Sequence, residues 1–159
     1  RALLAEAMMQ KLAKAATLIP KPILSSPAFI KWFEGSKAVD EEGKPLLLYH
    51  GTNVDIKEFR QGEYHKGIFF TQDPDDAAFF AALGKGEENN RIMPVYVNLQ
   101  NPYISYNAEH ITHAGDVIKK AKELGHDGVI IYTRVDLFDS ILQSNILTNI
   151  IFTTFFGIN

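Results

Sequence analysis

The stretch Leu48-Tyr49-His50-Gly51-Thr52, followed after a loop by Gly67-Ile68-Phe69-Phe70-Thr71, has the length and the β-favouring content of two strands. The first stretch ends in the trio His50, Gly51 and Thr52. Buried imidazole and hydroxyl groups without partners cost about 1 kcal/mol or more each, so this trio suits the lining of a cleft better than a core. Gly51 would let a ligand approach the main chain, while His50 and Thr52 supply donors and acceptors.

Other helices and strands surround these two strands in an irregular order. Turn residues 40–43 precede the apolar run 45–50, which predicts a hairpin. Asp73 followed by Pro74 predicts the start of a helix that ends at Gly84. Further elements are predicted over 93–99, 129–132 and 146–152 as strands, and from about Asp116 as a helix. Links that lack helices favour an α+β fold over a doubly wound parallel sheet.

The chain is predicted to divide into a helical N-terminal extension or linker, residues 1–24, and a main domain, residues 25–159. Apolar residues recur at helical spacing over 2–19. Ser26-Pro27 combines an N-cap residue with a proline at the first helical position, which predicts a second, short helix. The chain begins at Arg1 rather than Met, which indicates a module of a longer polypeptide.

The composition is that of a soluble globular protein. Of 159 residues, 46% are hydrophobic and 22% are charged, with no Cys and a formal net charge of −3. The lack of Cys excludes thiol nucleophiles, thiolate metal ligands and disulfides. The negative net charge disfavours binding to a phosphate backbone. No apolar stretch has the length of a membrane span, so we expect a soluble protein that does not bind membranes.

Two other patterns give weaker signals. Gly84-Lys85-Gly86 follows a predicted helix and lacks a third glycine, so it does not match the dinucleotide-binding fingerprint. His110 and His113 could share one helical face beside Glu109, but no clear third ligand accompanies them. We therefore interpret these histidines as solvated loop residues and predict no metal site.

Several segments together carry a family resemblance. They are Trp32-Phe33, Ser36-Lys37 with Val39-Asp40, Gly43-Lys44-Pro45-Leu46, Tyr49-His50-Gly51-Thr52, Phe69-Phe70-Thr71, Pro94-Val95-Tyr96-Val97-Asn98-Leu99 with Asn101-Pro102-Tyr103, and Gly125-His126-Asp127-Gly128-Val129-Ile130. In this order and spacing they resemble the ADP-ribosyltransferase fold, in the His-Tyr-Glu branch of poly(ADP-ribose) polymerases and diphtheria-type toxins. The chain is most similar to the ADP-ribosyltransferase-like domains of phage and mobile-element polyvalent proteins.

The resemblance implies two small antiparallel sheets around a cleft that holds NAD as substrate, with flanking helices. It implies that His50 hydrogen-bonds the ribose next to nicotinamide, that the Gly51 main chain holds the carboxamide, and that Thr52 assists. Phe80 falls where relatives have a tyrosine that stacks on the nicotinamide ring, and Phe69 occupies the preceding aromatic position. The NAD-binding residues implied in this way are His50, Gly51, Thr52, Gly67, Phe69, Phe70 and Phe80.

One departure from the family pattern concerns the end of the chain. The branch normally has a glutamate near the last strand, but residues 140–159 contain no Asp, Glu, Lys, Arg or His. Gln143 is the polar side chain of suitable length there, and we take it with His50 as the candidate catalytic pair. Asp136 and Asp139 are the late acids that could substitute. A neutral amide cannot offset developing positive charge as a carboxylate does, so we predict slow catalysis.

Three functions fit these observations. The leading hypothesis is mono-ADP-ribosyl transfer from NAD to a host protein or nucleic acid by a phage or mobile-element effector or toxin. Such a protein would act in the cytoplasm of a host cell or travel with the virion. The alternatives are a catalytically silent NAD-binding or protein-interaction module and an NAD glycohydrolase. The missing acid favours the silent module, whereas the intact trio at residues 50–52 favours the two enzymes.

Overall fold

The computed structural model describes residues 6–7, 10, 21–59, 67–83, 89–107, 109–132 and 150–154. Glu6, Ala7 and Gln10 are helical and exposed, which agrees with the predicted helix in this part of the chain. A 3-10 helix over Lys21–Ser25 leads into the main body of the structure. The domain boundary after residue 24 stays a prediction.

The described residues form an α+β fold, as the sequence predicts. The helices are α1 (Pro27–Phe33), α2 (Pro74–Ala82), α3 (Glu109–Thr112) and α4 (Ala114–Glu123). The strands are β1 (Leu48–Thr52), β2 (Ile68–Thr71), β3 (Arg91–Val95), β4 (Pro102–Ser105), β5 (Gly128–Tyr132) and β6 (Ile150–Thr154). Helix α3 was not predicted from the sequence.

The strands are hydrogen-bonded in the order β3-β1-β2-β6-β5-β4. The groups β3-β1-β2 and β6-β5-β4 meet edge to edge through antiparallel pairing of β2 with β6. One expectation is corrected, because β4 and β5 pair in parallel, from Pro102 opposite Gly128 to Ser105 opposite Ile131. A parallel pair needs a crossover connection, and α3 and α4 supply it between these two strands.

Both faces of the sheet are covered by apolar residues. Alternate residues of a strand point to opposite faces, so Ile130 packs on one side while its neighbours Val129 and Ile131 pack on the other. The side of Ile130 also buries residues of β1 and β2 and of the segments that precede β1 and follow β3: Phe33, Ala38, Leu46, Leu48, Ile68, Phe70, Val97 and Leu99. The other side buries Val117, Ile118 and Ala121 of α4.

The buried Ser36 ties the segment after α1 to the segment after β3. Its Oγ donates to the Val97 carbonyl at 3.3 Å and accepts from the Ala38 and Leu99 N–H groups at 3.2 Å each. The Leu99 carbonyl accepts in turn from the Lys37 N–H at 2.7 Å. These bonds explain why β3 ends at Val95, whereas a strand was predicted over 93–99: the later main-chain groups bond to residues 36 and 37.

Asp127 joins the starts of β4 and β5. Its carboxylate accepts from the Gln100 N–H at 2.7 Å and from the Asn101 N–H at 3.1 Å. Gly125 has φ +79°, a conformation that lets the chain leave α4 and turn towards β5. The segment that resembles the family motif at 125–128 therefore has a structural role.

Helix α2 begins as predicted and lies against β1. The Asp73 carboxylate accepts from the Asp75 N–H at 2.8 Å and caps the helix. A Cβ atom added at Gly51 would lie 1.7 Å from the Ala77 carbonyl oxygen and 3.0 Å from the Ala81 nitrogen. Gly51 is thus required by the close approach of helix and strand, a reason that the sequence alone does not reveal.

We predict that Gly51→Ala destabilises the fold by about 1–3 kcal/mol or more, because the helix must move away from β1. Gly115 in the first turn of α4 is the matched control, since a Cβ there meets no atom within 4 Å. Gly115→Ala should be neutral or stabilise by up to about 1 kcal/mol. Urea unfolding of the three proteins measures both changes, and equal stabilities for all three would contradict this account of Gly51.

Candidate functional site

A cleft of about 400 Å³ lies between α2, the junction of α3 with α4, and the sheet. Its volume falls within the usual range of small-molecule sites, about 300–1,000 Å³. Helices α2 and α4 pack on the same face of the sheet and leave the cleft between them. The residues that line it are Tyr49, His50, Gly51, Phe69, Phe70, Thr71, Ala77, Phe80, Leu83, Thr112, Ala114, Gly115 and Ile131.

The edge of β1 beside β2 is open along the second half of the strand. β1 pairs with β3 over all five of its residues, but with β2 at Tyr49 opposite Thr71 alone. Successive residues of a strand direct their N–H and C=O groups to alternate sides. Main-chain groups of either His50 or Gly51 therefore face this opening, where they can bind the amide of a ligand.

The His50 side chain spans the gap between the two strands. Its Nδ1 lies 2.7 Å from the Phe69 carbonyl oxygen. A carbonyl oxygen can accept but not donate, so Nδ1 carries the hydrogen. In the neutral ring Nε2 then holds a lone pair, and among the described residues no hydrogen bond to Nε2 is observed. His50 is therefore set to accept a hydrogen bond from a hydroxyl group.

The surroundings of His50 favour its neutral form. Burial lowers the pKa of the imidazole below 6.5, and the hydrogen bond to Phe69 opposes this shift in part. The ring centroid lies 5.2 Å from that of Phe59 and 5.6 Å from that of Phe70. Two apolar rings thus replace the water that would stabilise an imidazolium ion.

Two aromatic side chains from different elements line the cleft. Phe69 of β2 is half-buried and packs against the α4 side of the core. Phe80 of α2 is 50% exposed, which is unusual for a residue that stabilises a core. Its neighbour Phe79 is 62% exposed and does not line the cleft. Phe80 thus presents a ring to the cleft that a planar ligand could cover.

The structure brings together five of the seven residues that the sequence assigned to NAD binding: His50, Gly51, Phe69, Phe70 and Phe80. Thr52 and Gly67 do not line the cleft. The Thr52 hydroxyl is used locally, because it donates to the Val54 carbonyl at 3.3 Å and accepts from the Val54 N–H at 3.2 Å. Gln143, Asp136 and Asp139 lie outside the described residues.

Sequence reasoning missed several residues of the lining. Tyr49 and Thr71 share a face with Gly51, so the two-residue period of the strands could have found them. A phenol is protonated at neutral pH, and burial raises the pKa of Tyr49 further above its ordinary value. Thr112, Ala114 and Gly115 come from the crossover between β4 and β5, and no local sequence pattern predicts that they line the cleft.

A second, more polar pocket surrounds the two histidines that were interpreted as solvated. His110 is half-buried, with Nδ1 2.6 Å from the Ser105 hydroxyl, whereas His113 is exposed. The interpretation is thus corrected for His110.

The part of the chain that the structure describes contains no group of three His, Asp or Glu residues arranged to hold a metal ion. Nor does this part contain a helix long and apolar enough to cross a membrane.

Comparisons with known proteins give one family. A family model described as ADP-ribosyltransferase in polyvalent proteins matches residues 40–148. The match includes β1 through β5, and with them every element that lines the cleft. Neither the curated proteins nor the solved structures gave a match.

We predict that protonation of His50 lowers the stability of the fold in mild acid. The folded-state pKa lies below 6.5, so the unfolded chain binds the proton first as the pH falls. The contribution of His50 to stability should therefore be fully present well above pH 6.5 and should be lost as the pH falls through 6.5 towards the folded-state pKa. His50→Asn retains an N–H donor for the Phe69 carbonyl but does not titrate. This variant should therefore lose less stability than the wild-type protein between the two pH values. Urea unfolding at about pH 7.5 and about pH 5.5 tests this; equal losses in both proteins would contradict it.

Proposed function

The chain belongs to the family of ADP-ribosyltransferase domains found in polyvalent proteins, and from this premise we propose that it binds NAD in the cleft and transfers ADP-ribose to a macromolecule. The proposal rests on one observation: Phe69, Phe80 and the open edge of β1 at Gly51 line the same cleft. Nicotinamide combines a flat cationic ring with a carboxamide. Aromatic faces attract such a ring, and main-chain groups pair with such an amide.

His50 is proposed to orient the ribose. A neutral imidazole with its hydrogen on Nδ1 accepts a hydrogen bond at Nε2, and a ribose hydroxyl can donate one. This bond would fix the sugar relative to the nicotinamide ring. Orientation of this kind lowers the barrier because the reacting bond is held in one geometry before the reaction.

The proposed reaction breaks the bond between C1′ of the ribose and the nicotinamide nitrogen. Nicotinamide leaves with the electron pair as a neutral molecule, and positive charge develops on the ribose. A nucleophilic group of the acceptor then forms a bond to C1′ and releases its proton to solvent. Gly51 would hold the leaving nicotinamide and His50 would hold the ribose while the positive charge moves from the nicotinamide ring to the ribose.

We propose that the reaction is slow. No Asp or Glu is present in the described lining of the cleft, so that part of the site offers no anion to the developing positive charge. Loss of one electrostatic group lowers rates about 10²–10³-fold in other enzymes. We keep Gln143 as the residue that would complete the site, with a neutral amide in place of a carboxylate.

The proposed acceptor is a protein or nucleic acid of a host cell, and the proposed context is a phage or mobile-element effector within a longer polypeptide. A silent NAD-binding module is the second candidate, because the described lining holds no acidic residue. A glycohydrolase would use the same cleft with water as the acceptor. The three functions differ in their products and can be separated directly.

We predict that Phe80→Ala weakens NAD binding with little loss of stability, because the ring is 50% exposed. Loss of one stacking face should weaken the binding free energy by about 1–3 kcal/mol, which raises Kd about 5-fold to 150-fold. Phe80→Tyr should bind at least as well as wild type, since it keeps the ring face. Leu124→Ala, at an exposed apolar side chain outside the cleft, is the control and should leave Kd unchanged. Calorimetry measures Kd, and a fall in stability of about 3–5 kcal/mol in Phe80→Ala would assign the ring to packing instead.

The function is tested by incubating the protein with labelled NAD and a host-cell lysate. We expect slow labelling of a macromolecule over hours, and loss of that labelling in His50→Ala. Free ADP-ribose without labelled macromolecule would identify a glycohydrolase. Calorimetric binding without either product would identify a silent module. Absence of NAD binding in the wild-type protein would contradict the proposal as a whole.

A further inference from the structure

We propose that Phe59 is a positioning residue that fixes the orientation of the His50 imidazole, a role that rests on the proposed use of His50 in the cleft. Phe59 does not line the cleft, so it would act through His50 rather than on NAD. The family resemblance assigned no function to this position. The position of Phe59 is set by the path of the segment that follows β1.

The contact between the two rings is specific in geometry. Their centroids lie 5.2 Å apart at an interplanar angle of 82°, an edge-to-face arrangement. Phe70 completes the group, with its centroid 5.6 Å from that of His50 and 5.7 Å from that of Phe59. The imidazole is therefore confined by two rings, while its Nδ1 is bonded to the Phe69 carbonyl.

The segment that carries Phe59 is anchored at its start. Thr52 turns the chain after β1 through its two hydrogen bonds with Val54. Asp55 then forms an ion pair of 2.7 Å with Arg91, the residue opposite Thr52 on β3. These contacts direct the segment back over β1, where Phe59 reaches the His50 ring. Thr52 thereby contributes to the site without lining the cleft.

Among the residues that the structure describes, charged neighbours do not explain the neutral state of His50. The segment after β1 carries Asp55, Lys57 and Glu58, and β3 carries Arg91. Asp55 and Arg91 pair with each other, and none of the four is among the causes of the shift in the pKa of His50. Burial is the largest cause of the lowered pKa. Among the described residues, Phe59 and Phe70 are the rings in contact with the imidazole, so removal of Phe59 should readmit water.

The test follows the histidine ring nitrogens by NMR, with His50 assigned by the loss of its signals in His50→Asn. The wild-type protein should show His50 with its hydrogen on Nδ1 and a pKa below 6.5. In Phe59→Leu we expect a mixture of the two neutral forms, a pKa closer to 6.5, and NAD affinity weaker by about tenfold. Phe59→Tyr keeps the ring and should restore both properties. Phe29→Leu, in an aromatic cluster with Trp32, Phe33 and Tyr96, is the control that should change neither.

An unchanged His50 titration and tautomer in Phe59→Leu would overturn the proposal, even if the variant were less stable. A changed titration with unchanged NAD affinity would also overturn it, because Phe59 would then set the state of His50 without serving the site. If Phe59→Leu does not fold, nuclear Overhauser contacts between the two rings in the wild-type protein decide, and their absence rejects the proposal. If the wild-type protein does not bind NAD, the proposed function fails, and the ring-nitrogen measurements still decide whether Phe59 orients His50.

Discussion

The close contact of the Gly51 main chain with α2, at Ala77 and Ala81, determines where the cleft lies. The helix backbone occupies the space that any side chain at residue 51 would need. This contact places α2 against β1, while α4 packs against β5 on the same face of the sheet. The space that remains between the two helices, above β2, is the cleft. Phe80 reaches it because it lies one turn beyond Ala77 on the same helix.

The gap between β1 and β2 links the fold to the proposed chemistry. A complete ladder between these strands would use the main-chain groups of both edges, and no donor or acceptor would be left for a ligand. Here the pairing is confined to Tyr49 and Thr71, and the Phe69 carbonyl bonds to the His50 ring instead. One hydrogen bond thus satisfies Phe69, selects the tautomer of His50 and keeps the edge of β1 open.

The described lining of the cleft favours binding over fast catalysis. It consists of aromatic and aliphatic side chains with a few hydroxyl groups and one neutral imidazole. Such a lining suits a nicotinamide ring, which needs stacking and a pair of amide contacts. It offers little to an oxocarbenium-like ribose, which needs an anion close by. The proposed catalysis would therefore depend on residues beyond β5, in the part of the chain that contains Gln143.

Local sequence patterns determined the elements, and tertiary contacts decided the roles of individual residues. The runs at 48–52 and 67–71 and the cap at Asp73 predicted β1, β2 and α2 because strand period and capping are properties of neighbouring residues. The motif order predicted His50, Phe69 and Phe80 in one cleft. The parallel pairing of β4 with β5, the helix contact at Gly51 and the ring contact at Phe59 join residues far apart in sequence. Only packing of the whole chain fixes such contacts, because each depends on the distance between separate elements.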